Sequence, residues 1–299
     1  MSLKSLFTGN IQRRGKSRII YDVKNIEKNK DNLNNQEGLY FKFNIDDSDF
    51  SSKYKMLIVG PDDTPYVGGL YLFNAQFPDQ YPYRPMKMTS MTQGGGIRKH
   101  PNLYVCGKCC FSFLGTWTGP PWSACQNPTT VGISMRSVLT NNPIVNEPGW
   151  EKKNDANTKL YENLIRYFNI RYAVIEILEN FPVNYLDFKK EIIHIFIKNY
   201  SKYKIEVNKF IHLNKKVIKS PVYNFEISVN CDALLKSLEN LYFKFTGKTS
   251  FITVHNTTRK CPVKPASKYD TNTVKDGLDG RSWKVKLYPT GKKRWVLNR

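Results

Sequence analysis

Hydrophobic positions change their period several times along this chain of 299 residues, and each change marks an element. In RIIYDVKNIEKN (18 to 29), Ile19, Ile20, Val23 and Ile26 recur at helical spacing, with Arg13, Arg14, Lys16 and Arg18 just before or on the first turn. That predicts an amphipathic basic helix. GLYFKFNI, KYKMLIVG and GGLYLFNAQF follow as short runs of β-favouring residues parted by turn formers such as IDDSD and PDDTP, and MKMTSMT reads as a fourth strand. A four-stranded antiparallel meander is implied. Helical spacing returns from Thr129 to Leu139 and over 160 to 181, after the stop signal in NNPIVNEPGW, and then in two more segments, 185 to 211 and 231 to 245. The last two are expected to pack on each other. Beyond Thr246 the composition shifts to Thr, Lys, Pro and Gly, as in a linker, and SWKVKLYPTGKKRWVLN alternates around Pro-Thr-Gly as a hairpin would. The fold class expected is α+β, with a helical extension and a short C-terminal β-hairpin tail.

Length and charge narrow the picture. A chain of this size suggests about two folded units. A net charge of +21 would attract nucleic acid, an anionic membrane surface or an acidic protein, and equally fits lysines scattered over a solvated surface. Six cysteines, three of them within residues 106 to 110, look like reduced thiols and point to the cytoplasm. The first residues lack the apolar region of a signal peptide, and no stretch reaches the roughly 18 apolar residues of a spanning helix, so no membrane partner is expected.

The chemistry concentrates in four stretches that follow in order: GPDDTPYVGGLYLF, FPDQYPYRP, HPNLYVCGKCC and GTWTGPPWS. This series resembles the ubiquitin-conjugating enzymes, and with LTNNPIVNEPGW it resembles a large subclass of them. The family's motif places a Gly seven residues and the active-site Cys ten residues after its His; His100, Pro101, Asn102, Gly107 and Cys110 stand at those positions. The resemblance covers about residues 12 to 182 and implies a catalytic domain there, followed by the helical extension (183 to 246) and the linker with its basic tail (247 to 299). It implies ubiquitin, an activating enzyme, a ubiquitin ligase and substrate lysines as partners, and no metal or organic cofactor. Two departures stand out: Trp122 and Ser123 are followed by Ala124 where most members have Pro, and Ser112 replaces an Asp common two residues after the nucleophile.

The residues themselves fit that chemistry. A carrier of an activated acyl group needs an ester reactive toward amines, and a thiolate forms one while remaining strongly nucleophilic. In an extended segment Cys109 and Cys110 point to opposite faces, so only one is expected in a surface groove while the other packs inward. Asn102 either closes an Asx turn or donates an N–H to the oxyanion formed when an amine attacks the thioester. The family analogy favours the second role. Glu147 is either a solvated loop acid or, as the resemblance implies, the carboxylate that receives the incoming lysine. His100 reads as a structural tie for its loop. The resemblance places ligase contacts at Tyr83, Arg84, Ser123 and Ala124, a structural aromatic at Trp122, and activating-enzyme contacts on the basic first helix, at Arg14 and Arg18.

Rival readings are weaker. Cys106-x-x-Cys109 has zinc-like spacing without a second pair, and His194, His212 and His255 are scattered. The glycines at 94 to 96 lack the Lys and Ser or Thr of a phosphate loop, so direct ATP use is not expected. A non-catalytic ubiquitin-binding module would lack the cysteine. A basic nucleic-acid-binding role rests on Trp283, Tyr288 and Trp295 interleaved with Lys and Arg in the tail, which also resembles hairpins on proteins of giant DNA viruses and implies a viral protein in the host cytoplasm.

Overall fold

The alternating runs pair as predicted, forming an antiparallel sheet of β1 (Leu39–Asn44), β2 (Lys53–Val59), β3 (Leu70–Gln76) and β4 (Lys87–Ser90) in that spatial order. The structure is a computed structural model describing residues 3–45, 52–151, 155–248, 261–262, 264–277, 280–288 and 291–298, with side chains from residue 15 onward. Contacts divide it into two units: Met1–Phe196 with Lys219–Ile227, and Ile197–Ile218 with Ser228–Arg299.

In the first unit α1 (Leu3–Lys28) and α2 (Lys30–Asn35) precede the sheet. The buried side of α1 carries Ile19, Asp22 and Ile26, whereas Ile20 is 44 % exposed. A polar residue takes a core position because Tyr81 Oη donates to Asp22 at 2.5 Å and Arg18 Nε at 2.9 Å. After the sheet come α3 (Pro128–Ser137) and α4 (Ala156–Ile170), with Asn127 and Asp155 capping their first turns. The helix expected over 160 to 181 is not continuous: a π-helical stretch, Arg171–Glu176, separates α4 from α5 (Ile177–Glu179). Tyr172 in that stretch explains two of the glycines at 94 to 96, since a Cβ on Gly94 would lie 2.0 Å from its ring and one on Gly95 2.5 Å from its hydroxyl.

The sheet has two differently covered faces. Phe41, Met56 and Phe73 share one by register and are buried, with α3 against β1 and β2. Lys42, Lys55 and Asn74 share the other by the same register, and all three hold the segment that follows α5. Tyr185 Oη donates to Asn74 Oδ1 (2.8 Å), Lys55 Nζ to Asn184 O and Asp187 Oδ2 (both 2.7 Å), and Lys42 Nζ to Glu191 Oε1 (3.0 Å). Tyr185, Phe188 and Ile192 are buried beside these anchors. Contacts therefore run the first unit on to Phe196, beyond the sequence-based boundary at 182.

α6 (Lys189–Lys209) begins in the first unit and ends in the second. There the pairing expected of the two late helices is realised: Tyr200 stacks on Tyr242 of α7 (Cys231–Thr246) at 4.1 Å, and Lys204 Nζ reaches Glu239 at 3.1 Å. Between α6 and α7 the chain makes a hairpin of β5 (Val217–Lys219) and β6 (Glu226–Ser228), whose tip clusters with the first unit. The tail pairs β8 (Ser282–Leu287) with β9 (Lys293–Leu297), as expected, and adds β7 (Val274–Asp276).

Candidate active site

The stretch from Arg98 to Cys110 is tied down at both ends. His100 is fully buried; its Nδ1 accepts from Asn102 N at 3.0 Å, which puts the ring proton on Nε2, 3.1 Å from Val138 O. Burial, with a smaller contribution from Lys99 and Arg98, pushes its pKa down to about 3, so the imidazole is neutral wherever the protein works. Its role here is to hold the loop. Gly107 lets that loop return to the sheet: its φ is +89°, its carbonyl accepts from Ser90 N at 2.8 Å, and a Cβ would lie 2.9 Å from Ser90 O.

The two cysteines depart from the expectation that only one packs inward, since each is 2 % exposed. The reason is Thr116. Its hydroxyl bonds the Cys109 and Phe111 carbonyls at 2.8 and 3.1 Å, its Oγ1 accepts from Phe111 N at 2.9 Å, and its own carbonyl accepts from Cys110 Sγ at 3.0 Å. The chain after the cysteines thus folds back over them. Burial pushes the Cys109 thiol up to about 12, against a smaller lowering by Lys99, so Cys109 stays protonated and unreactive at neutral pH.

Asn102 brackets Cys110. Its backbone carbonyl accepts from Cys110 N at 2.8 Å, and its Nδ2 donates to Cys110 O at 2.7 Å. A carbonyl acceptor requires the amide nitrogen on that side, leaving one Nδ2–H beyond this bond and an Oδ1 buried without a partner among the described residues. Pro101 and Leu103 are buried around it.

Glu147 ends the turn Pro143–Asn146, anchored by fully buried Ile144, and its N–H donates to Ile144 O at 2.9 Å. The structure adds neighbours that the sequence pattern does not reveal. Tyr223 Oη donates to Glu147 Oε2 at 2.5 Å, and the Arg98 guanidinium lies between the rings of Tyr104 and Tyr223, 3.8 and 4.4 Å from their centroids. Arg98 is itself held through its carbonyl by Tyr161 Oη (2.9 Å) and through Nη2 by Pro101 O (2.6 Å). One cluster therefore joins Glu147 to the loop bearing Asn102.

The residues assigned to partners lie apart from these. Tyr83 is 57 % exposed and Arg84 exposed beside it, on a turn closed by Tyr83 N to Gln80 O at 2.7 Å. Trp122 Nε1 donates to Pro82 O at 2.6 Å, linking that turn to the exposed Ser123. Arg18 is engaged within the molecule: besides Asp22, its Nη1 and Nη2 donate to Ala124 O (2.9 Å) and Gln126 O (3.2 Å). The Arg14 side chain lies outside the described residues. Cys106 is exposed while Cys109 is buried, and no group of three His, Cys, Asp or Glu residues is gathered as a metal centre would need, among the described residues. No described helix is long and apolar enough to cross a membrane.

Residues 24–169, which carry this sheet, loop and cysteine, match the family model described as "Ubiquitin-conjugating enzyme". Over that segment the chain belongs to the ubiquitin-conjugating enzyme family. It is similar to ubiquitin-conjugating enzyme E2 Z of Xenopus tropicalis, with 45% identity over 139 residues, 46% of this chain and 44% of that protein. The human E2 Z is 37% identical over 181 residues, covering 60% of this chain and 51% of its own length. The chain spans about half the length of these curated relatives. Among solved structures, human E2 G1 aligns with 32% identity over 42% of this chain and 94% of its own, with a TM-score of 0.34.

Proposed function

We propose that this protein accepts ubiquitin as a thioester on Cys110 from an activating enzyme and passes it to substrate lysines. The thiolate attacks the activating enzyme's ubiquitin thioester; a new S–C bond forms as the old one breaks, and the activating enzyme's thiolate leaves. A lysine amine then attacks the carbonyl, the C–S bond to Cys110 breaks, and the amine proton passes to Glu147. The second Nδ2–H of Asn102 faces the charge that develops on the carbonyl oxygen, a contribution of about 3 kcal/mol for such a donor. For Cys110 to react, its hydrogen bond to Thr116 O has to open.

The double hydrogen bond between Asn102 and Cys110 carries this reading, because it brings the proposed donor beside the proposed nucleophile. In the same reading the α1 surface receives the activating enzyme, the turn with Tyr83 and Arg84 receives a ligase together with Ser123 and Ala124, and the site of action is the cytoplasm. A nucleic-acid role for the tail draws no support: the Trp295 indole N–H goes to Lys264 O (2.8 Å) and its ring packs on Tyr269 at 5.4 Å.

One gel without reductant tests the assignment: enzyme, ubiquitin, activating enzyme and ATP. The wild type and Cys109→Ser are expected to form a reductant-sensitive adduct. Cys110→Ser should form an oxygen ester that survives reductant and yields to hydroxide. A thioester retained by Cys110→Ser and lost by Cys109→Ser would move the nucleophile one residue back.

A further inference from the structure

The family match ends at residue 169, and Tyr223 lies well beyond it. It is delivered by the hairpin between α6 and α7, in the turn SPVYNF, where Ser220 Oγ accepts from Tyr223 N at 3.4 Å and Ser220 N donates to Phe225 O at 2.8 Å. Although the strands of this hairpin lead to and from the second unit, Lys219–Ile227 cluster with the first. The ring is fixed on two sides: over the Arg98 guanidinium at 4.4 Å and edge-on to Tyr161 at 5.9 Å. Only the hydroxyl remains to be aimed, and it donates to Glu147 Oε2. Burial, followed by that hydrogen bond, raises the phenol well above its ordinary pKa, so it stays a donor across the working range.

We propose that Tyr223 is a positioning residue for transfer: it holds one oxygen of Glu147 so that the other, Oε1, is presented to the incoming lysine ammonium. This rests on the reading of Glu147 given above. Oε1 has no hydrogen-bond partner among the described residues, which leaves it available. A glutamate side chain left unanchored samples several rotamers, and a hydrogen bond to one carboxylate oxygen holds it in one of them. A phenol is suited to the task because it donates without introducing a competing charge. The hairpin thereby makes acceptor capture depend on chain outside the family domain.

The test uses the full-length protein, charged with ubiquitin and then separated from the activating enzyme, with thioester loss followed against free lysine concentration. Tyr223→Phe keeps the ring packing and removes only the donor. It should raise the half-saturating lysine concentration about tenfold, the effect of losing a hydrogen bond to a charged group, while the melting temperature stays within a degree or so. Glu147→Gln should give a loss at least as large, and the double variant should lose no more than Glu147→Gln alone. If Glu147→Gln is slow while Tyr223→Phe matches the wild type, or if the two losses multiply, the positioning role is refuted and the role of Glu147 stands. If Glu147→Gln discharges like the wild type, the reading of Glu147 itself is overturned and this inference with it.

Discussion

Three adjacent titratable groups under the loop are held in forms that water would not choose, and their pKa values make stability depend on pH. Lys99 is fully buried with Nζ 3.2 Å from Gln93 Oε1 and 5.9 Å from the Phe168 ring, and burial brings its pKa down from 10.5 to about 7. A lowered folded-state pKa means stability that is complete above 10.5 and lost as pH falls through about 7. His100, lowered from 6.5 to about 3, has the same sign in a more acid window, complete above 6.5 and lost toward 3. Cys109, raised from 9.0 to about 12, has the opposite sign: its contribution is complete below 9.0 and lost as pH rises through about 12. Between pH 7 and 9 only Lys99 is changing, so stability should climb across that interval by about 2 kcal/mol. Thermal melts at half-unit steps check this, and Lys99→Met, which places no charge in the core, should flatten the climb. A wild-type melting temperature that is level or falls over the same interval would show that Lys99 keeps its charge when buried.

Among the elements, the loop after Trp122 shows how a missing residue is compensated. Proline at 124 would restrain the backbone, and its replacement by Ala124 predicts a looser loop. Instead the loop is latched: Arg18 reaches Ala124 O and Gln126 O, Gln126 N donates to Ser123 O at 2.9 Å, and Ser123 N donates to Gln126 Oε1 at 3.0 Å. Arg18→Ala should therefore speed amide hydrogen exchange at Cys125 and Gln126 and lower stability by about 1–2 kcal/mol, because it also leaves buried Asp22 with Tyr81 alone. Ala124→Pro should change neither by much. Unchanged exchange in Arg18→Ala would mean that Ser123 and Gln126 close the loop by themselves. Long elements with a clear period were legible in the sequence, namely the four strands, α3, α6 and α7. The three-residue strands β5, β6 and β7 were not, since so few residues show no alternation, and the π-helical turn was hidden because helical spacing continues through it. The site divides in the same way: Cys110 and Asn102 sit in one contiguous stretch, whereas Tyr223 meets Glu147 across 76 residues and carries no local signature.

At the scale of the whole molecule, where the chain can be cut depends on what covers the sheet. The family resemblance ends near Pro182, and all the motif residues lie before it, which makes 182 an attractive end for a minimal enzyme. Yet the next residues place Tyr185, Phe188 and Ile192 in buried positions and bind Lys42, Lys55 and Asn74, three cross-strand neighbours. The ion pairs themselves are half-exposed and worth little. The apolar burial is the larger effect: at about 2 kcal/mol for each large side chain, removing the three costs on the order of 5 kcal/mol before any relaxation. A protein ending at residue 182 should therefore melt about 10 °C or more below the full chain and, if it folds, charge with ubiquitin only at reduced temperature. One ending after Gly247 keeps every first-unit contact named above, including the hairpin that carries Tyr223, and should charge and discharge like the full chain. Melting curves and thioester assays on the two truncations decide the matter. Equal melting temperatures for the shorter form and the full chain would show that the sheet does not need its second cover, and that residues 183–196 belong functionally with the second unit.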